Sequence, residues 1–157
     1  RIPTLDEVLD RYRGKIGIVI EIKHPELYPG IEEKVADALI KRNMHEPENG
    51  KVIVQSFNHK TVRSFHRILP EVPVGVLLSY AEYRNGVSDL ELASFALYAD
   101  FVNPNQLLVD ESLVRRIHAL GMKIAPYTIR TKKQAERMIA LGVDGFATDF
   151  PELGRLK

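Results

Sequence analysis

Short apolar runs alternate with amphipathic stretches along almost the whole chain, and this alternation limits the fold more than any other feature. The first run, Ile16-Gly17-Ile18-Val19-Ile20-Glu21-Ile22-Lys23, is nearly continuous in β-branched residues and carries charge only at its C-terminal end. Such a run predicts a strand covered on both faces rather than one half in water. After a Pro/Gly loop, Ile31, Val35, Ala38 and Leu39 recur at helical spacing. The unit then repeats. Residues 52–57 read as a strand, Asn58 as an N-cap, and Val62, Phe65, Ile68 and Leu69 as the apolar stripe of the next helix. Residues 72–78 form a third strand with Pro73 near its start, and Ser88 with Glu91 has capping-box spacing ahead of Leu92, Phe95 and Ala96. Strands at 101–103, 124–129 and 143–148 follow, with helices at 111–120 and after the Thr131/Gln134 pair. Before all of these, Thr4-Leu5-Asp6-Glu7 fits a capping box for a helix that Gly14 stops.

Six strands, the first five each followed by a helix, mean a parallel α/β protein. An open doubly wound sheet and a barrel both satisfy the pattern. The closed barrel has eight strands in about 250 residues, so six units in 157 residues correspond to three-quarters of one. Leu120-Gly121-Met122-Lys123 and Leu141-Gly142-Val143-Asp144 are near-copies. In each, glycine can take the left-handed position that ends a helix just before a strand.

Composition narrows the chemistry. The chain has no Cys, so a thiolate nucleophile, a disulfide framework and a Cys-ligated metal are excluded. Its 22 Lys and Arg balance 21 Asp and Glu, and the charges are interspersed, without the basic stripe that nucleic-acid binding needs. No apolar run approaches the roughly 18–20 residues that cross a bilayer. Walker A, GxGxxG, HExxH, GxSxG and EF-hand patterns are all absent.

In a parallel α/β architecture the C-terminal ends of the strands open onto the active site. The polar residues at those ends are Glu21 and Lys23, Gln55 and Ser56, Asn103 and Asn105, Tyr127 and Thr128, and Thr148 and Asp149. Glu21 and Lys23 are two apart and so share a face. A hard carboxylate beside an ammonium suits metal-assisted phosphate chemistry, and it equally suits a structural salt bridge. Gln55 and Ser56 point oppositely, so one of them joins that face. Asp149 reads as the cap of a last short helix. His45, His59, His66 and His118 read as loop or helix-surface residues, and His24 as a contact at the rim of the first strand end.

Four stretches together resemble the glycerophosphodiester phosphodiesterases. They are Ile2-Pro3-Thr4-Leu5-Asp6-Glu7-Val8-Leu9, Ile20-Glu21-Ile22-Lys23, Gln55-Ser56-Phe57-Asn58, and the segment from Gly142 to Pro151 reading GVDGFATDFP. The resemblance implies a TIM (β/α)8 barrel, represented by about six of its eight strands, with residues 1–157 as one barrel-type domain. It implies hydrolysis of a small glycerophosphodiester to an alcohol and glycerol 3-phosphate with a divalent cation, Ca²⁺ or Mg²⁺. Glu21 would then be a metal ligand and Lys23 a catalytic, phosphate-contacting residue. Gln55 and Phe57 would line the next strand end, and Tyr127 would stand as an aromatic wall where the family commonly has Trp. The family's His-Arg-Gly, Glu-x-Asp and His-Asp motifs, which supply the acid–base histidines and further carboxylates, do not occur in this sequence. The expectation is therefore a barrel whose N-terminal portion is missing from these residues. Its open edges would be covered by that portion or by a second copy of the chain. A related phospholipase-type phosphodiesterase and a noncatalytic binding or scaffold protein are the two other readings.

Overall fold

The computed structural model describes residues 1–49 and 51–156. The chain falls into two compact units, Arg1–Gly75 and Val76–Lys157.

In the first unit, helix α1 (Leu5–Tyr12) starts at the Thr4 capping box: Thr4 Oγ1 accepts from the Glu7 amide at 3.3 Å, and Glu7 accepts from the Thr4 amide at 2.8 Å. Strand β1 (Ile18–Glu21), helix α2 (Ile31–Ile40), strand β2 (Val52–Ser56) and helix α3 (His59–Ile68) follow. β1 and β2 are parallel, with Ile18 opposite Val52 and Glu21 opposite Gln55. Asn58 caps α3 by accepting from the Thr61 amide at 3.2 Å. The core gathers Leu9, Ile22, Val35, Leu39, Val54, Val62 and Phe65, all buried. The expected burial of β1 on both faces does not hold. Val19 is 58% exposed, because its side chain projects to the face of β1 opposite the one that the core covers, and β1 ends the strand order.

The strands follow chain order, β1-β2-β3-β4-β5. β3 (Val74–Leu78) begins in the first unit and is buried throughout, with Pro73 just ahead of it. The second unit continues through helices α4 (Tyr80–Tyr83) and α5 (Asp89–Phe95), strand β4 (Phe101–Pro104), helix α6 (Glu111–Ala119), strand β5 (Lys123–Ile124) and helix α7 (Lys132–Ala140). Ser88–Glu91 and Thr131–Gln134 both form full capping boxes, and Gly121 and Gly142 take φ of 78° and 80° at the expected helix ends.

The last two strands depart from expectation in length. β5 covers two residues rather than six, because Pro126 has no N–H to give to a ladder. Pairing resumes only at the parallel bridges Asn105–Tyr127 and Ile129–Thr148. The sixth segment, expected at 143–148, holds the same parallel course by separate bonds: the Asp144 amide to Ile124 O at 3.0 Å, the Ala147 amide to Pro126 O at 2.8 Å, and the Ile129 amide to Ala147 O at 2.8 Å.

Candidate active site at the end of the first strand

The alternation of β1 sends Val19, Glu21 and Lys23 to one face and Ile18, Ile20 and Ile22 to the other. The register decides what β2 adds. Gln55 lies opposite Glu21 and shares its face, while Ser56 turns away and is buried at 1% exposure. The Ser56 hydroxyl donates to the Ile22 carbonyl at 2.6 Å and accepts from the Asn58 amide at 3.1 Å.

A cleft of about 470 Å³ opens at these strand ends, lined by Glu21, Lys23, His24, Glu26, Ser56, Phe57 and Asn58 among others. Lys23 Nζ stands 3.7 Å from Glu21 Oε1, with side-chain exposures of 70% and 28%. That separation is too long for a hydrogen bond, and Oε1 is buried without any hydrogen-bond partner. A salt bridge of this kind contributes little to stability and leaves a carboxylate oxygen unsatisfied, which weakens the purely structural reading of the pair. Phe57 is 44% exposed and lines the cleft. His24 sits in the left-handed region at φ 48°, and its Nδ1 is 3.1 Å from Glu26 Oε1. The backbone amide of Glu26 and then His24 hold the Glu26 carboxyl below the usual carboxylate range.

Glu21 was expected to bind a metal. Its orphaned oxygen suits one ligand position, but a hard cation such as Ca²⁺ takes about six to eight oxygens. Among the described residues no group of three or more His, Cys, Asp or Glu side chains could hold an ion. The residues present therefore do not amount to a complete cation site.

In the second unit the strand-end polar residues are mostly spoken for. The Tyr127 hydroxyl donates to the Leu78 carbonyl at 2.9 Å. Asn103 accepts from the Ala125 amide at 3.2 Å, Asn105 from the Leu107 amide at 3.0 Å, and Thr148 Oγ1 from the Phe150 amide at 3.0 Å. Asp149 caps nothing. The turn at Pro151–Arg155 has no side-chain cap, and Asp149 instead pairs with Arg130 at 3.4 Å. His118 is not simply solvated, since its Nε2 lies 2.8 Å from Asp144 Oδ2, which also accepts from the Ile124 amide at 2.8 Å. Sequence reasoning missed this contact, the Ser56 bond and an arginine clasp in the first unit. Arg42, its side chain 5% exposed, binds both oxygens of Asp10 at 2.8 and 2.9 Å and Asp6 at 2.7 Å. Only a buried arginine amid apolar neighbours could have signalled it, and burial is not visible in a loop sequence.

A model of the glycerophosphoryl diester phosphodiesterase family matches residues 1–153. The chain belongs to that family. Among curated glycerophosphodiester phosphodiesterases it is 33% identical to one from Bacillus subtilis over 155 residues, covering 98% of this chain and 53% of that protein. It is 36% identical to one from Caldanaerobacter subterraneus, covering 97% and 60% respectively. The chain thus spans roughly half to three-fifths of the length of these family members. Among solved structures, a putative glycerophosphoryl diester phosphodiesterase from Silicibacter pomeroyi superposes with TM-score 0.84 at 22% identity, over 99% of this chain and 55% of that one. An Oleispira antarctica phosphodiesterase, in complex with the product sn-glycerol-3-phosphate, superposes with TM-score 0.76 at 24% identity, over 96% and 59%. With parallel strands alternating with helices, these likenesses make the fold of this glycerophosphoryl diester phosphodiesterase family member α/β barrel-like.

Proposed function

We propose that this chain contributes to the hydrolysis of glycerophosphodiesters to an alcohol and glycerol 3-phosphate. One observation carries the proposal: in the cleft at the strand ends, the Lys23 ammonium stands beside a buried Glu21 oxygen that has no hydrogen-bond partner. The names of the curated relatives support it. In such a hydrolysis the elements of water add across the bond between phosphorus and the alcohol oxygen. That bond breaks, and the departing oxygen takes up a proton. Negative charge on the phosphoryl oxygens is then stabilised by a preorganised cation, and Lys23 is that group in this reading.

Gln55 and Phe57 line the substrate beside Lys23 in the first unit, and the family resemblance gives Tyr127, in the second unit, as an aromatic wall. Glu21 offers one carboxylate to a divalent cation, Ca²⁺ or Mg²⁺, which when bound would polarise a phosphoryl oxygen. Further ligands and the acid–base histidines would be those of the family's His-Arg-Gly, Glu-x-Asp and His-Asp motifs.

The test is Lys23→Met in the full-length protein. Its turnover of a panel of glycerophosphodiesters should fall by about 10²–10³-fold, the effect of losing one transition-state charge partner, with the unfolding midpoint unchanged. A folded variant that turns over at the parent rate removes the assignment.

A further inference from the structure

The geometry points to Ser56 as a positioning residue for the Glu21–Lys23 cleft. This inference rests on the phosphodiester-hydrolysing reading above. Along β1 and β2 the backbone itself joins the strands, from the Ile18 amide to Lys51 O at 2.7 Å up to the Ile22 amide to Gln55 O at 2.9 Å. Beyond that point both strands leave the sheet. His24 turns into the left-handed region, and Asn58 opens α3.

At this divergence a side chain takes over from the ladder. Ser56 Oγ donates to the Ile22 carbonyl at 2.6 Å, and the same oxygen accepts from the Asn58 amide at 3.1 Å. The carbonyl that accepts from Ser56 belongs to the peptide that leads into Lys23. The accepting oxygen holds the first residue beyond Phe57. One hydroxyl therefore fixes the backbone on both sides of the cleft, and three cleft-lining residues, Lys23, Phe57 and Asn58, depend on it. At 1% exposure no solvent competes for either bond, and a buried carbonyl that loses its donor must shift to find another. Such a shift rotates the peptide from which the Lys23 side chain extends. Small displacements of a reacting group reduce rate steeply, by about 10²-fold for 1 Å. Ser56 itself lines the cleft, but its hydroxyl is committed to the Ile22 carbonyl and the Asn58 amide, so it acts through Lys23.

The experiment compares Ser56→Ala, Ser56→Thr and Lys23→Met in the full-length protein. It reads kcat and KM on a glycerophosphodiester together with hydrogen exchange at the Asn58 amide. Ser56→Ala should lower kcat by about 10–100-fold with KM changed by less than about threefold, and the Asn58 amide should exchange at least about tenfold faster. Ser56→Thr, which keeps the hydroxyl, should return kcat and exchange towards the parent values. If the threonine does not fold, Ser56→Cys replaces it, and its weaker donor should give a kcat between those of alanine and parent.

A serine that serves stability alone would lower the unfolding midpoint and leave kcat per folded molecule unchanged, and that outcome overturns the proposal. The wider reading fails separately. Parent-like turnover in Lys23→Met removes the role of the cleft, whereas loss of turnover in Lys23→Met with parent-like kcat in Ser56→Ala removes only the role of Ser56.

Discussion

Glu21 and Lys23 lie two residues apart, Gln55 and Ser56 only one, and the difference separates what a sequence can reveal about this cleft from what it cannot. A spacing of two fixes a shared face in any strand, so the Glu21–Lys23 pair is legible in the sequence alone. Which member of an adjacent pair joins it depends on the phase of β2 against β1, and that phase is set by pairing across 34 residues. Here Glu21 faces Gln55, which sends Ser56 into the core. The ligand role proposed for Glu21 has its own test. In the full-length protein, Glu21→Gln should weaken Ca²⁺ or Mg²⁺ binding by at least about tenfold in calorimetric titration, and a titration identical to the parent would remove Glu21 from the ligand set.

Asp144 carries a prediction in pH. Burial pushes its carboxyl up, but the Ile124 amide and His118 outweigh burial and hold it below its ordinary value of 3.8. A carboxyl depressed in the folded state adds stability that is complete above the unfolded value and disappears as pH falls through the folded one. As pH falls below about 4, unfolding free energy should therefore fall less steeply in Asp144→Asn than in the parent, with the two curves converging at the acid end. Parallel curves would show that the His118–Asp144 contact is not maintained in solution.

Helix starts were the most legible elements, because an N-cap is local chemistry: a short polar side chain meets an amide three residues on. Thr4, Asn58, Ser88 and Thr131 all cap as their spacing indicates. Thr131→Ala should cost about 1 kcal/mol in urea unfolding, and a loss below the precision of the fit would mean that α7 does not need its box. Strand extents were less legible. The apolar run at 124–129 reads as one strand until Pro126 interrupts the donors, and Tyr127 spends its hydroxyl on Leu78, 49 residues away.

The Arg42 clasp was hidden for the same reason, since its aspartates lie 32 and 36 residues upstream in α1. Arg42 holds the Asp10 carboxyl below the usual carboxylate range. Arg42→Met should accordingly speed amide exchange in α1 above about pH 4, where Asp10 is ionised, and leave α3 protection at the parent level. Uniform loss of protection in both helices would contradict a local clasp.

For the molecule as a whole, the βα rhythm predicted the parallel α/β class, and the structure and the likenesses bear it out. What the rhythm could not convey is burial. Residues 16–22 look like a fully covered strand, yet Ile16 and Val19 are each 58% exposed, because covering one face of a strand depends on elements far away in sequence. Leu39 and Phe65 instead have no exposure in the core of the first unit. Leu39→Ala should cost about 2–5 kcal/mol, while Val19→Thr, on the open face, should stay within about 0.5 kcal/mol. We predict that residues 1–157 alone self-associate, since β1 ends the strand order with apolar side chains in solvent. Sedimentation velocity should show a concentration-dependent rise in mass that Val19→Lys reduces, and a monomer at every concentration would contradict this.

The opposed facing of Gln55 and Ser56 also makes β2 intolerant of insertions and deletions in a way that point substitutions do not reveal. Adding or removing one residue between Val52 and Gln55 would reverse the facing of the β2 side chains beyond the change. The glutamine amide would enter the core and the serine would lose the Ile22 carbonyl, so a single event would unmake the site and the packing together. Length changes in this protein should therefore accumulate between its strands, where they leave that two-residue reading frame intact.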